Sequence, residues 1–410
     1  MQKNKPSYKK LLTMATIYTL TSSLHDEKSV ALATDEFLSS LGIAYDMRGN
    51  DYTDYGTHPL DLIFVRTGGT EGIFCSLLPQ LLERNPRKIY LLASGKSNSL
   101  AASMEILSLL RQRGIGGEII HGSREYVSQR INILERAAEA RSQLMGCRLG
   151  CVGLPSDWLV ASRADVIKVR ERMGIQLCYI AMKELLTKVA AIPSADDNAV
   201  DGEMSDNIRR AMPGAMQIYH ALKSIITRDH LQGFTLRCFD LLSALHNTGC
   251  LALAKLNAEG YVAGCEGDVP AMMSMMIGRA ATGVSGFQAN PATIDPETGE
   301  VLFAHCTIPR DMVERYEYDT HFESGIGVAI RGFMAKGPVT VFKVSGDLGE
   351  YFAEEGELLQ CGSEPGLCRT QLRVRLNDSG QTKYFLTRPI GNHHIILPGH
   401  HKALLREILG

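Results

Sequence analysis

Short apolar runs alternate with amphipathic helical stretches through the first ~150 residues, and this alternation constrains the fold more than any other feature. Ala15–Thr21, Asp61–Arg66, Lys88–Ala93 and Gly117–His121 read as strands of about five or six residues. Lys28–Leu41, Ile73–Arg84, Asn98–Arg113 and Arg124–Gln143 read as the helices between them. Strands that are apolar on both faces, each followed by a helix returning the chain to the same sheet edge, imply a parallel, doubly wound sheet.

The alternation resumes near Cys147, with strands at Arg148–Leu154 and Gln176–Ile180. A polar, acidic stretch over 192–210 reads as a connection or the exposed start of a helix, and helical patterns follow at Ala211–Arg228 and Cys238–Glu259, the latter broken near Gly249. After Gly286 the texture changes. Short segments at Val301–Cys306, Val328–Phe333, Val339–Val344, Leu372–Arg375 and Tyr384–Thr387 are separated by turns such as DPETGE and NDSG. Lys402–Leu409 reads as a closing helix. The expected architecture is α/β: two doubly wound α/β domains, 1–146 and 147–285, followed by a small antiparallel, barrel-like β domain over 286–410.

Composition excludes some partners. With 43 Lys+Arg against 45 Asp+Glu the net charge is −2, so no general field gathers phosphates, which argues against nucleic acid and against electrostatic docking to membranes. No apolar run reaches the ~20 residues of a spanning helix. The lysine-led start, MQKNKPSYKK, reads as a short tail before the first strand. Ten cysteines show no CxxC pairing and mostly sit in apolar runs, the expectation for reduced thiols in a cytoplasmic protein.

Several segments carry chemistry. The loop TGGTEG at 67–72 follows a strand and opens a helix, where N–H groups can hold an anion; it lacks GxGxxG spacing and a Walker lysine, and reads as a strand-to-helix turn. In GCEGDVP at 264–270, Glu266 lies between glycines in an apolar stretch, so a buried carboxylate there needs a partner charge or a metal. Asp268, just before Pro270 and a Met-rich helix, suits an N-cap. The tail GNHHIILPGHHKALL places four of twelve histidines within nine positions: His393, His394, His400 and His401. The second pair is expected in the first turn of the last helix, where the macrodipole favours neutral, metal-binding imidazole. His305 lies in an alternating strand, and His321 with Glu323 would share a strand face as ligands or as substrate-binding groups.

The run TGCLALAKLNAEGYVAGCEGDVPAMMSM, followed by FAHCTIP, GPVTVFKV, GNHH and PGHHKALL in that order, resembles the L-fucose isomerase-like proteins of the fucose/arabinose isomerase superfamily. The resemblance is strongest over 230–410. It implies aldose–ketose isomerisation through an enediolate, with a divalent cation, usually Mn²⁺, bridging the substrate's O1 and O2. It also implies a cytoplasmic homo-oligomer, a trimer or hexamer, in which a neighbour completes the site. Glu266 matches the family's first metal-binding, proton-moving glutamate, and His393 or His394 its late histidine. The second acidic position falls at Asn290, a departure: an amide oxygen can ligate a hard cation but cannot act as a base. Asp268, His305, His321 and Glu323 are then possible substitutes, with His305, His321 and Glu323 read as substrate-binding. A sugar-binding protein without catalysis, or a sugar epimerase or lyase, are the alternative expectations.

Overall fold

The computed structural model describes residues 14–84, 86, 88–193 and 204–410. The chain divides into two compact units at Ser142/Gln143.

The N-terminal unit is built from β1 (Ala15–Leu20), α1 (Glu27–Leu41), β2 (Tyr45–Gly49), β3 (Asp61–Val65), α2 (Glu71–Leu82), β4 (Ile89–Ala93), α3 (Ser99–Gln112), β5 (Gly117–Ile120) and α4 (Arg124–Leu144). Its five strands are parallel, in the order β2-β1-β3-β4-β5. Sequence reading finds every element except β2, whose YDMRG carries no apolar run because it is an edge strand with half-exposed side chains. Apolar side chains pack on both faces, with Tyr18, Phe74 and Leu91 on one and Ile17, Phe64 and Leu92 on the other.

The second unit continues with β6 (Arg148–Val152), α5 (Val166–Met173), β7 (Gln176–Ile180), α6 (Met182–Ala191), α7 (Asp206–Arg228), β8 (Gly233–Leu236), α8 (Phe239–Leu245), α9 (Cys250–Ala258), β9 (Val262–Cys265) and α10 (Val269–Thr282). Four parallel strands run β7-β6-β8-β9. Part of the acidic connection expected over 192–210 lies outside the described residues; α7 starts behind it, capped by Ser205. The β-rich remainder comprises β10 (Phe287–Asp295), β11 (Glu300–His305), β12 (Arg315–Asp319), β13 (Ala329–Phe333), β14 (Gly337–Val344), β15 (Tyr351–Cys361), β16 (Thr370–Leu376), α11 (Thr382–Thr387), β17 (His394–Pro398) and α12 (Lys402–Leu409). Six of these strands close an antiparallel barrel, β10-β11-β16-β15-β14-β17, while β12 and β13 form a separate ribbon. The parallel sheet and the barrel share one hydrophobic core that runs from Val152 and Leu222 through Phe287 and Val341 to Ile396.

One expected strand is a helix. Tyr384–Thr387 is aromatic and β-branched, which reads as strand by propensity, but it lies in α11. Tertiary packing decides: the Tyr384 ring stacks on Phe352 at 3.9 Å and its hydroxyl meets His394 Nε2 at 3.0 Å. Sequence reading also passes over α5, α6, β12 and β15, where charged residues dilute the apolar pattern, over the four-residue β8, and over β10, whose run Pro291 interrupts.

The barrel is tied to the segment 153–165 that leads into α5, at Gly346, whose carbonyl accepts from Asp165 N at 3.0 Å. A Cβ on Gly346 would lie 1.9 Å from Arg163 O, a backbone atom. Gly346→Ala is therefore expected to destabilise the protein by about 2–4 kcal/mol through overpacking. Urea denaturation checks this, and an unchanged midpoint contradicts it.

Candidate metal centre

The centre sits where β9 ends. Glu266 and Gly267 both adopt left-handed backbone, at φ 62° and 69°. That region disfavours a glutamate by about 1–3 kcal/mol unless its surroundings hold it there. They do so here: Glu266 O accepts from Ser156 N at 3.0 Å, and Gly267 N donates to Leu236 O at 3.0 Å. A Cβ on Gly267 would meet Leu154 O at 2.7 Å, so only glycine lets the chain pass. The turn swings Glu266 towards the barrel rim while Asp268 caps α10, accepting from Ala271 N at 2.8 Å.

The rim supplies two histidines. His305 ends β11 and His393 immediately precedes β17; β10 pairs with both strands and separates them. Their rings stand edge to face, with centroids 5.4 Å apart. Glu266 Oε1 lies 3.5 Å from His393 Nε2 and 3.6 Å from His305 Nε2. The three residues are buried, and their ligand atoms all fall within 4.8 Å of one another. Two ligands each about 2.1 Å from one first-row ion, at tetrahedral angles, would stand about 3.4 Å apart.

His393 is the most informative of the three. It is fully buried, and Nδ1–H donates to Asp268 Oδ2 at 2.8 Å, since a carboxylate only accepts. Nε2, facing Glu266, is buried without a hydrogen-bond partner. A carboxylate that fixes the tautomer and leaves the other ring nitrogen free is the arrangement that orients metal-ligating histidines. One carboxylate oxygen and two imidazole nitrogens suit a divalent first-row ion such as Mn²⁺, Fe²⁺ or Zn²⁺. The residues fit a metal.

Burial opposes every charge here, and neighbours outweigh it at Glu266, Asp268 and His393 but not at Lys343. Burial pushes the Glu266 carboxyl up, yet the facing His305 and His393 imidazoles hold it well below the usual carboxylate range. Asp268 is also fully buried, and the Lys343 ammonium at 3.5 Å together with His393 brings its carboxyl down to about 2. Lys343 is itself buried, which lowers its pKa against the pull of Asp268. Burial would lower His393, but Asp268 and Glu266 raise it to about 9.

The structure brings Glu266, His305 and His393 together and distributes the other candidates. Asn290 stands on β10 opposite Ala304, and its side-chain oxygen accepts from Asn392 Nδ2 at 3.1 Å. His394 points into the barrel core among Phe303, Phe352 and Phe385, because side chains alternate along a strand. Both its ring nitrogens are engaged, by Asn392 O and Tyr384 Oη, and burial drives its pKa down to about 3. It is a core histidine and not a ligand. His321 and Glu323 do not share a strand face. They lie in a turn closed by Gly325 N to His321 O at 2.9 Å, which buries His321 and exposes Glu323. The expectation fails because the two-residue period holds only in extended backbone. His400 and His401 precede α12 instead of starting it: His400 is exposed, and His401 holds the N-cap position without a side-chain cap, its Nε2 meeting Pro398 O at 2.7 Å.

Sequence reading missed Trp158. Its Nε1–H donates to Glu266 Oε2 at 2.6 Å, and its ring meets Phe239 edge to face at 4.8 Å. Phe239 in turn meets His321 at 5.4 Å. An aromatic wall thus runs from Glu266 to His321. That this is the only tryptophan, placed just after a strand end, is the one signal the sequence offered.

No family model matches the chain. It is 24% identical over 191 residues to a sulfoquinovose isomerase of Clostridium sp. (strain MSTE9), a match covering 44% of this chain and 42% of that protein. It is 25% identical over 178 residues to an L-arabinose isomerase of Nocardioides sp. (strain ATCC BAA-499 / JS614), covering 40% of this chain and 35% of that protein. The chain is thus distantly similar to sugar isomerases, and the match spans less than half the length of either.

Asp268→Asn separates two roles, since asparagine caps a helix as well as aspartate does. The variant keeps the cap but leaves Lys343 buried without its counter-charge, so it is expected to lose about 3–5 kcal/mol of stability and roughly 10–100-fold in Mn²⁺ affinity. Isothermal titration checks this, and unaltered affinity contradicts it. Metal must displace the proton that His393 carries below about 9, so wild-type affinity is expected to rise with pH towards that value and level off above it.

Proposed function

We propose that the protein is a metal-dependent aldose–ketose isomerase acting on a monosaccharide. The observation that carries this reading is the buried His393 Nε2, without a hydrogen-bond partner and facing Glu266 and His305, in a chain distantly similar to two sugar isomerases. Glu266, His305 and His393 would hold the ion, and we assign it as Mn²⁺ from the resemblance and the donor set. When bound, it supplies Lewis-acid stabilisation of the charge that develops on the sugar's oxygens as a carbon-bound proton leaves.

The chain's own residues do the rest. Glu266 stays ionised, its Oε2 fixed by Trp158, and takes the proton from the substrate carbon. Isomerisation also needs a group to return or relay a proton between oxygens, and Asn290 cannot. Asp268 is buried and committed to His393, Lys343 and the α10 cap, while Glu323 is exposed. His321 remains. Burial lowers its pKa, leaving a neutral imidazole at pH 7, and its Nδ1 meets Ser324 Oγ at 3.0 Å. We assign it the second proton transfer, with the Trp158–Phe239 wall limiting water.

A homo-oligomer belongs to the same reading. Leu154, Trp158 and Val160 expose apolar surface beside Glu266 that a second copy would cover. No helix among the described residues is long and apolar enough to cross a membrane.

The test is a screen of aldoses for ketose formation with Mn²⁺-loaded protein. Wild type is expected to turn over at least one sugar, Glu266→Gln none, and His321→Asn about 10²–10⁴-fold more slowly in kcat with KM little changed. Sugar-dependent thermal stabilisation without turnover would replace the enzyme by a sugar-binding protein. Fragmented or epimerised products would replace the isomerase by a lyase or an epimerase.

A further inference from the structure

The N-terminal unit holds a cleft that the metal centre does not use. Its strand order reverses between β1 and β3: α1 carries the chain from β1 outward to β2, while α2 carries it from β3 the other way to β4. The loops leaving β1 and β3 therefore diverge, and in open parallel sheets ligands bind at the carboxyl ends of strands where they do. A cleft of about 760 Å³ opens there, lined among others by Ser22, Ser23, Asn50, Tyr52 and Arg66. That volume is in the range of small-molecule sites.

Arg66, the residue after β3, points to the ligand's chemistry. Its side chain is only 10% exposed, and Nη2 donates to Glu27 Oε1 at 2.7 Å. Nε is buried with no acceptor. Leaving a buried guanidinium donor unpaired costs about 1–3 kcal/mol or more, so the group is under-satisfied as it stands. Beside it, α2 starts without a side-chain cap, at the end of the TGGTEG loop. Helix α2 lends Ile73 and Leu77 to the cleft wall, and its first turn carries Glu71. The loops are held in place: Arg66 N donates to Leu20 O at 2.9 Å and Ser22 N to Thr67 Oγ1 at 3.0 Å. Glu27, 67% exposed on its side chain, is the carboxylate paired with Arg66 among the described residues, and it would compete with an anionic ligand for the guanidinium.

We propose that this cleft binds a small metabolite through a tetrahedral oxyanion, a phosphate or a sulfonate. Arg66 supplies the charge, and the Ser22 and Ser23 hydroxyls supply further donors. Asn50 and Tyr52 contact the body of the ligand. The site is independent of the isomerase reading.

Isothermal titration of the full chain, chelated free of metal and at fixed ionic strength in chloride, tests it with inorganic phosphate, glucose 6-phosphate, methanesulfonate and acetate. Saturable 1:1 binding of a phosphate or the sulfonate, tighter than acetate, is expected, and the tighter of the two names the group. Arg66→Gln should weaken it about tenfold or more. The exposed Glu27→Gln, which removes the competing carboxylate without disturbing the core, should tighten it roughly threefold. Absence of saturable binding, acetate binding as tightly, or a Glu27→Gln variant no tighter than wild type would each overturn the proposal. So would binding lost with Glu266→Gln, which would put the anion at the metal centre.

Discussion

The hydrogen bond between Asp268 and His393 is the interaction on which the rest of the site depends. Both partners are fully buried, so neither can turn to water for an alternative. The bond fixes the ring's orientation, and that leaves Nε2 pointing at Glu266, 3.5 Å from Oε1. The same carboxylate starts α10 and faces Lys343. Barrel strand, helix and ligand histidine are thereby locked to one another through a single side chain. A buried ion pair is weak evidence of stability, because desolvation cancels much of the attraction. Here the network Lys343–Asp268–His393 is better understood as positioning: it sets where an imidazole lone pair stands.

Backbone strain makes a second contribution of the same kind. Glu266 occupies left-handed space beside a glycine that has no room for a Cβ, and Leu236 at the end of β8 and Ser156 hold both in place. A carboxylate on a relaxed extended strand would stand perpendicular to the sheet, on one of its faces. The strained turn lifts it off the edge of β9 towards the histidines of β11 and the β17 approach. Parallel sheet and barrel meet in one core, so the two halves of the ligand set come from elements that cannot drift apart without opening it.

Much of this was legible in the sequence. Parallel strands buried on both faces leave continuous apolar runs, which is why β1, β3 and β4 read cleanly while edge strand β2 did not. Glycines around Glu266 marked a tight backbone, and Pro270 behind Asp268 marked a helix start. What the sequence could not carry was which face a residue presents. His393 and His394 are adjacent, yet one meets Glu266 and the other the Phe303–Phe385 cluster; a strand's alternation fixes that they differ, while only the barrel's closure fixes which turns outward. The same holds for Trp158, whose meeting with Glu266 depends on two chain segments 108 residues apart. Asp268 was legible as a cap but not as the partner of His393, because the cap is local and the partner is 125 positions away.

The central claim is that one ion is held jointly by Glu266, His305 and His393. Crystals soaked in Mn²⁺ and measured at the manganese absorption edge test it most directly. The account predicts a single anomalous peak in each chain within about 2.0–2.3 Å of Glu266 Oε1, His305 Nε2 and His393 Nε2. A manganese peak held elsewhere, or none between those three atoms while His393 Nε2 stays unpaired, would contradict it.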